Sequence, residues 1–244
     1  MRIDRLLATL GYGSRSQVRD MLRQGRVRVN GKAVSAADIR VNLGDALYVD
    51  SQQADARVTR HVMLNKPCGV LTAARDRKQS TVLDLLPPVY AACGCMPIGR
   101  LDKDTEGLLL LTTNGELNHR LLSPARKVWK CYLATVDGPL GPEDCAAFAA
   151  GLALSDFTAQ PARLEILDAG PAASTAKVWV CEGKFHQVRR MFAARGRTVT
   201  ALKRLSVGPL ALDETLAPGA YRELTEDEVR LLWDAVTGEN EHAE

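Results

Sequence analysis

The chain has 244 residues, 46% of them hydrophobic and 25% charged, with a formal net charge of +3 at neutral pH. That is ordinary globular composition, enough for a sizeable core in one large domain or two unequal ones. It excludes a membrane-spanning chain, because no apolar run approaches the roughly 20 residues a span needs. The N-terminus "MRIDRLLATLGYGSRSQ" carries charge inside a short apolar pattern, which argues against a secretory signal and for a cytoplasmic protein. Cysteines stand at 68, 93, 95, 131, 145 and 181; only Cys93 and Cys95 are close, and no second C-x-x-C or histidine cluster completes a zinc site. Reduced structural thiols are expected.

Charge is unevenly placed along the chain. Between Met1 and Lys32 the bases Arg2, Arg5, Arg15, Arg19, Arg23, Arg26, Arg28 and Lys32 are accompanied by only Asp4 and Asp20. "IDRLLATLG" puts Ile3, Leu6, Leu7 and Leu10 at helical spacing, with Gly11 as a stop. Ser14 can cap a second helix whose core stripe is Val18, Met21 and Leu22. Arg15, Arg19 and Arg23 recur every four residues and so share another face of it. "RVRVNGKAV" alternates Arg26 and Arg28 with Val27 and Val29, and Asn30-Gly31 signals a hairpin turn. A merely solvated face usually mixes charges, whereas one sign across two elements points to a polyanion, for which guanidinium forks are well suited.

Arg2, Asp4, Leu7, the Ser14-Arg15 helix start and Gly25 followed by Val27, Val29, Asn30 and Gly31 resemble the S4 RNA-binding domain. The resemblance covers residues 1–55 and implies RNA binding without implying a reaction. Residues 56–60 read as a linker, 61–238 as a larger body and 239–244 as a polar tail.

In the body, "HVMLNKPCGVLT" reads as two short apolar strands interrupted by Asn65-Lys66-Pro67. Leu101 to Thr113 passes from a polar loop into a strand ending at Asn114-Gly115. "KCYLATVDGPL" and "AKVWVCEG" alternate as strands, while Pro142 to Leu152 and Gln187 to Arg195 read as helices. The order is too irregular for a doubly wound sheet. An α+β body on mixed, mainly antiparallel sheet with flanking helices is expected.

The stretch "GRLDKDTEGLLLLTTNG" sets Asp102, Asp104 and Glu106 at alternate positions before a leucine run. A calcium loop needs a longer ligand ladder, and Arg100 and Lys103 within the cluster would repel a cation. A glycosidase-like pair lacks a second well-marked acid. What remains is a structural loop or one working aspartate, and the residues alone leave both open. A second basic stretch, "EGKFHQVRRMFAARG", puts Val188, Met191 and Phe192 on one helix face and frees Gln187, Arg189 and Arg190.

Together "MLNKPCGVLT", "GRLDKDTEGLLLLTTNGELNHRLLSP", "KCYLATV", "GKFHQVRRMFAARG" and "LDETLAPGAYRELTEDE" resemble the RsuA-type ribosomal RNA pseudouridine synthases over nearly the whole chain. The resemblance implies isomerisation of uridine to pseudouridine without a cofactor or metal, by a monomer acting on ribosomal RNA, within a pre-ribosomal particle. Mapped residue by residue, it makes Asp102 the essential acid, sets Arg189 facing it, and lays Tyr132 against the uracil ring. It offers Arg100 as a contact to the displaced strand, with Lys66, Gln187 and Arg190 as further RNA contacts or as supports of the residues that touch RNA. Phe185 stands where the family often has Tyr, and Arg189 where the small-subunit branch can carry Lys. "LAPGAYRELTEDE" is similar to the branch acting on uridine 516 of 16S RNA; a 23S target and a non-catalytic S4-type assembly factor are the alternatives.

Overall fold

The computed structural model describes residues 1–42 and 44–238; the polar tail expected at 239–244 lies outside the described residues. The N-terminal part packs α1 (Ile3–Thr9) and α2 (Arg15–Arg23) on a small antiparallel sheet of β1 (Val27–Val29), β2 (Lys32–Ala33), β3 (Leu47–Val49) and β4 (Gln52–Ala54), in the order β2-β1-β3-β4. Ser14 starts α2 through a capping box. Its hydroxyl accepts from the Gln17 amide, and its own amide donates to Gln17 Oε1. Asn30 and Gly31 both take positive φ, so Val29 turns directly back to pair with Lys32. The predicted apolar stripes close one core, in which Ile3, Leu7, Val18, Leu22 and Val27 are fully buried.

The body continues with β5 (His61–Lys66), α3 (Pro88–Ala92), β6 (Met96–Pro97), β7 (Glu106–Thr112), α4 (Gly115–Leu122), β8 (Lys130–Asp137) and α5 (Pro142–Ala150). It ends with β9 (Arg163–Ala169), β10 (Ala173–Val180), α6 (Gln187–Ala193), β11 (Val199–Val207), β12 (Leu210–Ala211), β13 (Tyr221–Glu223) and α7 (Glu226–Thr237). The strands form one sheet in the order β13-β5-β7-β11-β8-β10-β9, with β12 beside β11 and β6 beside β7. Every pairing between these strands is antiparallel except β7 with β11. The mixed, mainly antiparallel α+β body is as expected.

The leucine run is central strand. Leu109 and Leu111 of β7 enter the core on one face, under α5 and α6, while Leu108 and Leu110 enter a second core lined by α4 and α7. A strand covered on both faces reads as an unbroken apolar run rather than an alternating one. At the seam with β11, Gly107 lies opposite Arg204, and a Cβ there would sit 2.2 Å from the Arg204 carbonyl oxygen. Only glycine allows that approach.

The second strand expected in "HVMLNKPCGVLT" is not formed. Pro67 has no N–H to give a ladder, Gly69 takes φ +85°, and the segment beyond keeps only the single bridge Leu71 to Thr81. The segment expected as a linker is tied down. Arg57 and Arg60 both bond Glu223 on β13 at 2.7 Å, and Arg60 also bonds Asp55 at 2.8 Å.

Candidate active site

The turn carrying Asp102 opens β7, and every neighbouring element helps to hold it. Thr105 N donates to Asp102 O at 3.1 Å, and Gly69 N donates to Lys103 O at 2.8 Å. Thr72 Oγ1 bonds both the carbonyl and the amide of Leu101. Beneath the turn lies Lys66, the largest fully buried side chain. Its ammonium donates to the carbonyls of Thr105 at 2.9 Å, Pro67 at 3.0 Å, Asp102 at 3.1 Å and Lys103 at 3.3 Å. Burial lowers its pKa, and the nearby acids only partly restore it. Lys66 therefore cannot touch RNA as expected. It supports the Asp102 turn from inside.

Above the turn is a cavity of about 340 Å³ lined by Asp102, Arg100, Tyr132, His186, Gln187 and Arg189, among others. Its volume falls within the roughly 300–1,000 Å³ range of small-molecule clefts. Tyr132 enters from β8, in register with Arg204 of β11 and Val178 of β10, and is almost buried. Of the two neighbouring aspartates, Asp102 is 29% exposed and lines the cavity, whereas Asp104 is 67% exposed.

Arg189 does not pair with Asp102. Its Nη2 lies 2.9 Å from Asp104 Oδ2, and its Nη1 donates to the Val199 carbonyl at 3.0 Å. The reason is geometric: anchored at the start of β11, the guanidinium meets the outward-pointing member of the turn. Asp104 is thus the far end of a clamp between α6 and the turn. The residue facing Asp102 is His186, whose Nε2 lies 3.5 Å from Oδ1. Sequence reasoning missed it, because its direction depends on a left-handed backbone (φ 50°) at the start of α6 that spacing does not announce.

Gln187 lines the cavity but is only 4% exposed. Its amide nitrogen donates to Glu182 and its oxygen accepts from the Lys184 amide, so it shapes the loop before α6 rather than meeting RNA as expected. Arg190 pairs with Asp156, bonds Ser155 and lies 5.0 Å from the Phe157 ring centroid. Arg100 is exposed on the cavity wall. An adjoining cavity of about 300 Å³ shares Arg100 and Tyr132 and adds Lys130 and Arg204. Burial, then the Arg204 charge, lowers the Lys130 pKa to about 8.

In the N-terminal part the basic stripe is organised around a buried acid. Asp4 has Arg2 at 3.2 Å, Arg15 at 3.1 Å and Arg19 at 3.6 Å, all three about half exposed. Arg23 pairs with Asp20, and Arg26 meets Asp50 through two bonds of 2.6 Å. Arg5, Arg28 and Lys32 have no ion-pair partner among the described residues. Three guanidinium groups on one carboxylate leave excess positive charge held in fixed positions.

Comparison with known proteins agrees with this arrangement. Residues 60–194 match the RNA pseudouridylate synthase family, and residues 1–47 match the S4 domain. The chain belongs to the RNA pseudouridylate synthase family. It is 42% identical to an uncharacterised RNA pseudouridine synthase of Bacillus subtilis, over 95% of this chain and 98% of that one. It is 36% identical to the ribosomal small subunit pseudouridine synthase A of Haemophilus influenzae, over 95% and 99% of the two chains. A crystal structure of a pseudouridylate synthase superposes with a TM-score of 0.66 at 35% identity, covering 95% of this chain and 99% of the other. The protein is thus an RNA pseudouridine synthase, with RNA as its substrate.

Proposed function

We propose that the protein isomerises one uridine of ribosomal RNA, uridine 516 of the 16S molecule, with Asp102 as the essential carboxylate. The 16S assignment is supported by the near full-length likeness to enzymes named for the small ribosomal subunit. The reaction breaks the C1′–N1 bond, turns the base and forms C1′–C5. N1 gains a proton and C5 loses its hydrogen, so nothing but protons is exchanged with solvent. One carboxylate in a cavity that takes the nucleoside suffices for it.

The observation that carries this reading is the convergence of Asp102 and Tyr132 on one nucleoside-sized cavity, from elements on opposite sides of the β7–β11 seam. Tyr132 offers a face on which uracil can stack. The uridine must first leave its own stack, which costs a few kcal/mol. The exposed guanidinium of Arg100 on the wall, and the Arg2, Arg5, Arg15, Arg19, Arg23, Arg26, Arg28 and Lys32 surface, offset that cost through phosphate contacts. In this reading residues 1–55 hold the RNA, residues 61–238 perform the reaction, and the protein acts as a cytoplasmic monomer on a pre-ribosomal particle.

Tritium release from 5-tritiated uridine in a 16S fragment tests the reaction directly. Asp102→Asn should abolish release while RNA affinity changes less than about threefold, equivalent to under ~0.7 kcal/mol. Retained turnover in that variant would refute the role given to Asp102. Pseudouridine mapping of 16S and 23S RNA from a deletion strain tests the site.

A further inference from the structure

The cavity has an aromatic rim that neither the Asp102 chemistry nor the Tyr132 stack uses. Phe185 is 66% exposed, the most exposed of the large hydrophobic side chains among the described residues. Its ring is stacked on His186 with centroids 3.8 Å apart and planes 18° apart. Both rings line the cavity, and His186 reaches to within 3.5 Å of Asp102. The left-handed backbone at His186 is sparsely populated by non-glycine residues. Such strain persists where the surroundings hold it in place. An aromatic pair is therefore kept at the mouth, with one face of Phe185 open to solvent.

Water is a poor partner for that face, and a nucleobase is a good one. Aromatic rings that are stacked on one side and free on the other bind single-stranded bases irrespective of sequence. The surrounding charge fits the same ligand. Arg100 and Lys184 line the same cavity and offer cations for the phosphates on either side of a stacked base. The uridine that reacts must lie deeper, against Tyr132, so the base on Phe185 is a different one.

We propose that Phe185, backed by His186, is a stacking platform for the nucleobase next to the target uridine. It would hold the strand open while the uridine occupies the cavity. This inference rests on the reading of the cavity as the site of isomerisation.

The test uses the full-length protein and a 16S fragment with 2-aminopurine in place of each base flanking the target uridine. At one flanking position, binding should quench the fluorescence strongly for wild type and for Phe185→Tyr. Phe185→Leu, which keeps apolar bulk without a π face, should lose that quench and weaken binding roughly 5- to 150-fold, the range for loss of one base–aromatic stack. An undiminished quench in Phe185→Leu overturns the proposal. So does the absence of quenching at both positions while wild type releases tritium normally. If wild type releases no tritium from the fragment, the reading of the cavity itself falls, and this inference falls with it.

Discussion

Lys66→Met offers the sharpest check on how the Asp102 turn is held. An ammonium has three N–H groups, and Lys66 presents them to four carbonyls at 2.9–3.3 Å, three of which belong to residues 102–105. Hydrogen bonds to a charged group contribute about 1.5–3 kcal/mol each. Methionine fills similar volume but leaves those carbonyls facing an apolar side chain. Leaving a buried carbonyl without its donor costs about 1–3 kcal/mol. Some of that is recoverable, because the turn borders solvent at Lys103 and can move outward to hydrate its carbonyls. Such relief displaces Asp102, and a misplacement near 1 Å costs about 100-fold in rate. We therefore expect a loss of about 2–4 kcal/mol in urea unfolding and at least a ~100-fold fall in single-turnover tritium release. RNA affinity and its salt dependence should be unchanged. Near-wild-type turnover with less than ~1 kcal/mol lost would show that the turn does not depend on Lys66. A flattened salt slope would mean that this lysine touches phosphate after all.

Three further outcomes follow from the same geometry. Asp104→Asn removes the charge of an exposed carboxylate while Arg189 keeps its bond to the Val199 carbonyl, so stability should fall by under ~1 kcal/mol and turnover by less than about tenfold; a loss as complete as that of Asp102→Asn in the tritium assay would exchange the roles of the two acids. Lys130→Met removes an ammonium whose pKa burial depresses from 10.5 to about 8. Between those values the unfolded chain binds more protons than the folded one, so wild-type stability rises with pH. The variant should be more stable by about 2–3 kcal/mol at pH 7, a gain that fades between pH 8 and 10.5 in parallel urea titrations. Replacing Arg5, Arg28 and Lys32 together by Ala should weaken RNA binding and reduce the salt slope by about one for each phosphate left without its cation, with single-turnover chemistry on saturating RNA unaffected; an unchanged slope in filter binding would place the RNA elsewhere.

Much of the fold was legible because its signals are local. The Ser14 cap, the Asn30-Gly31 turn and the alternation in "KCYLATV" each act within a few residues, and each formed as read. The acid stretch was legible in part. Asp102 and Tyr132 could be picked out by their motifs and do line one cavity, but which acid meets Arg189 is decided by the direction of a turn. Which of its two expected roles Lys66 takes could not be read locally: lysine is seldom fully buried, and its burial here depends on carbonyls supplied from residues 102–105, far along the chain. Asp4 is a similar case. The S4 resemblance singles it out without giving it a role, and in the structure it is the fixed point around which Arg2, Arg15 and Arg19 are arranged. The missing second strand after Pro67 shows apolar content without a partner edge to pair with.

The single parallel seam also governs when, during its own synthesis, the chain becomes an enzyme. A parallel pair cannot be joined by a hairpin, so the partner of β7 has to come from a distant part of the chain, and here it is β11. Asp102 emerges early, on one side of that seam. Tyr132, His186 and Arg189 all belong to the segment that must be made before β11 can dock. No shorter nascent chain presents both walls of the cavity. A protein whose proposed substrate is ribosomal RNA is assembled on a machine built of that same RNA, and its topology withholds the reactive site until Val199–Val207 has been translated.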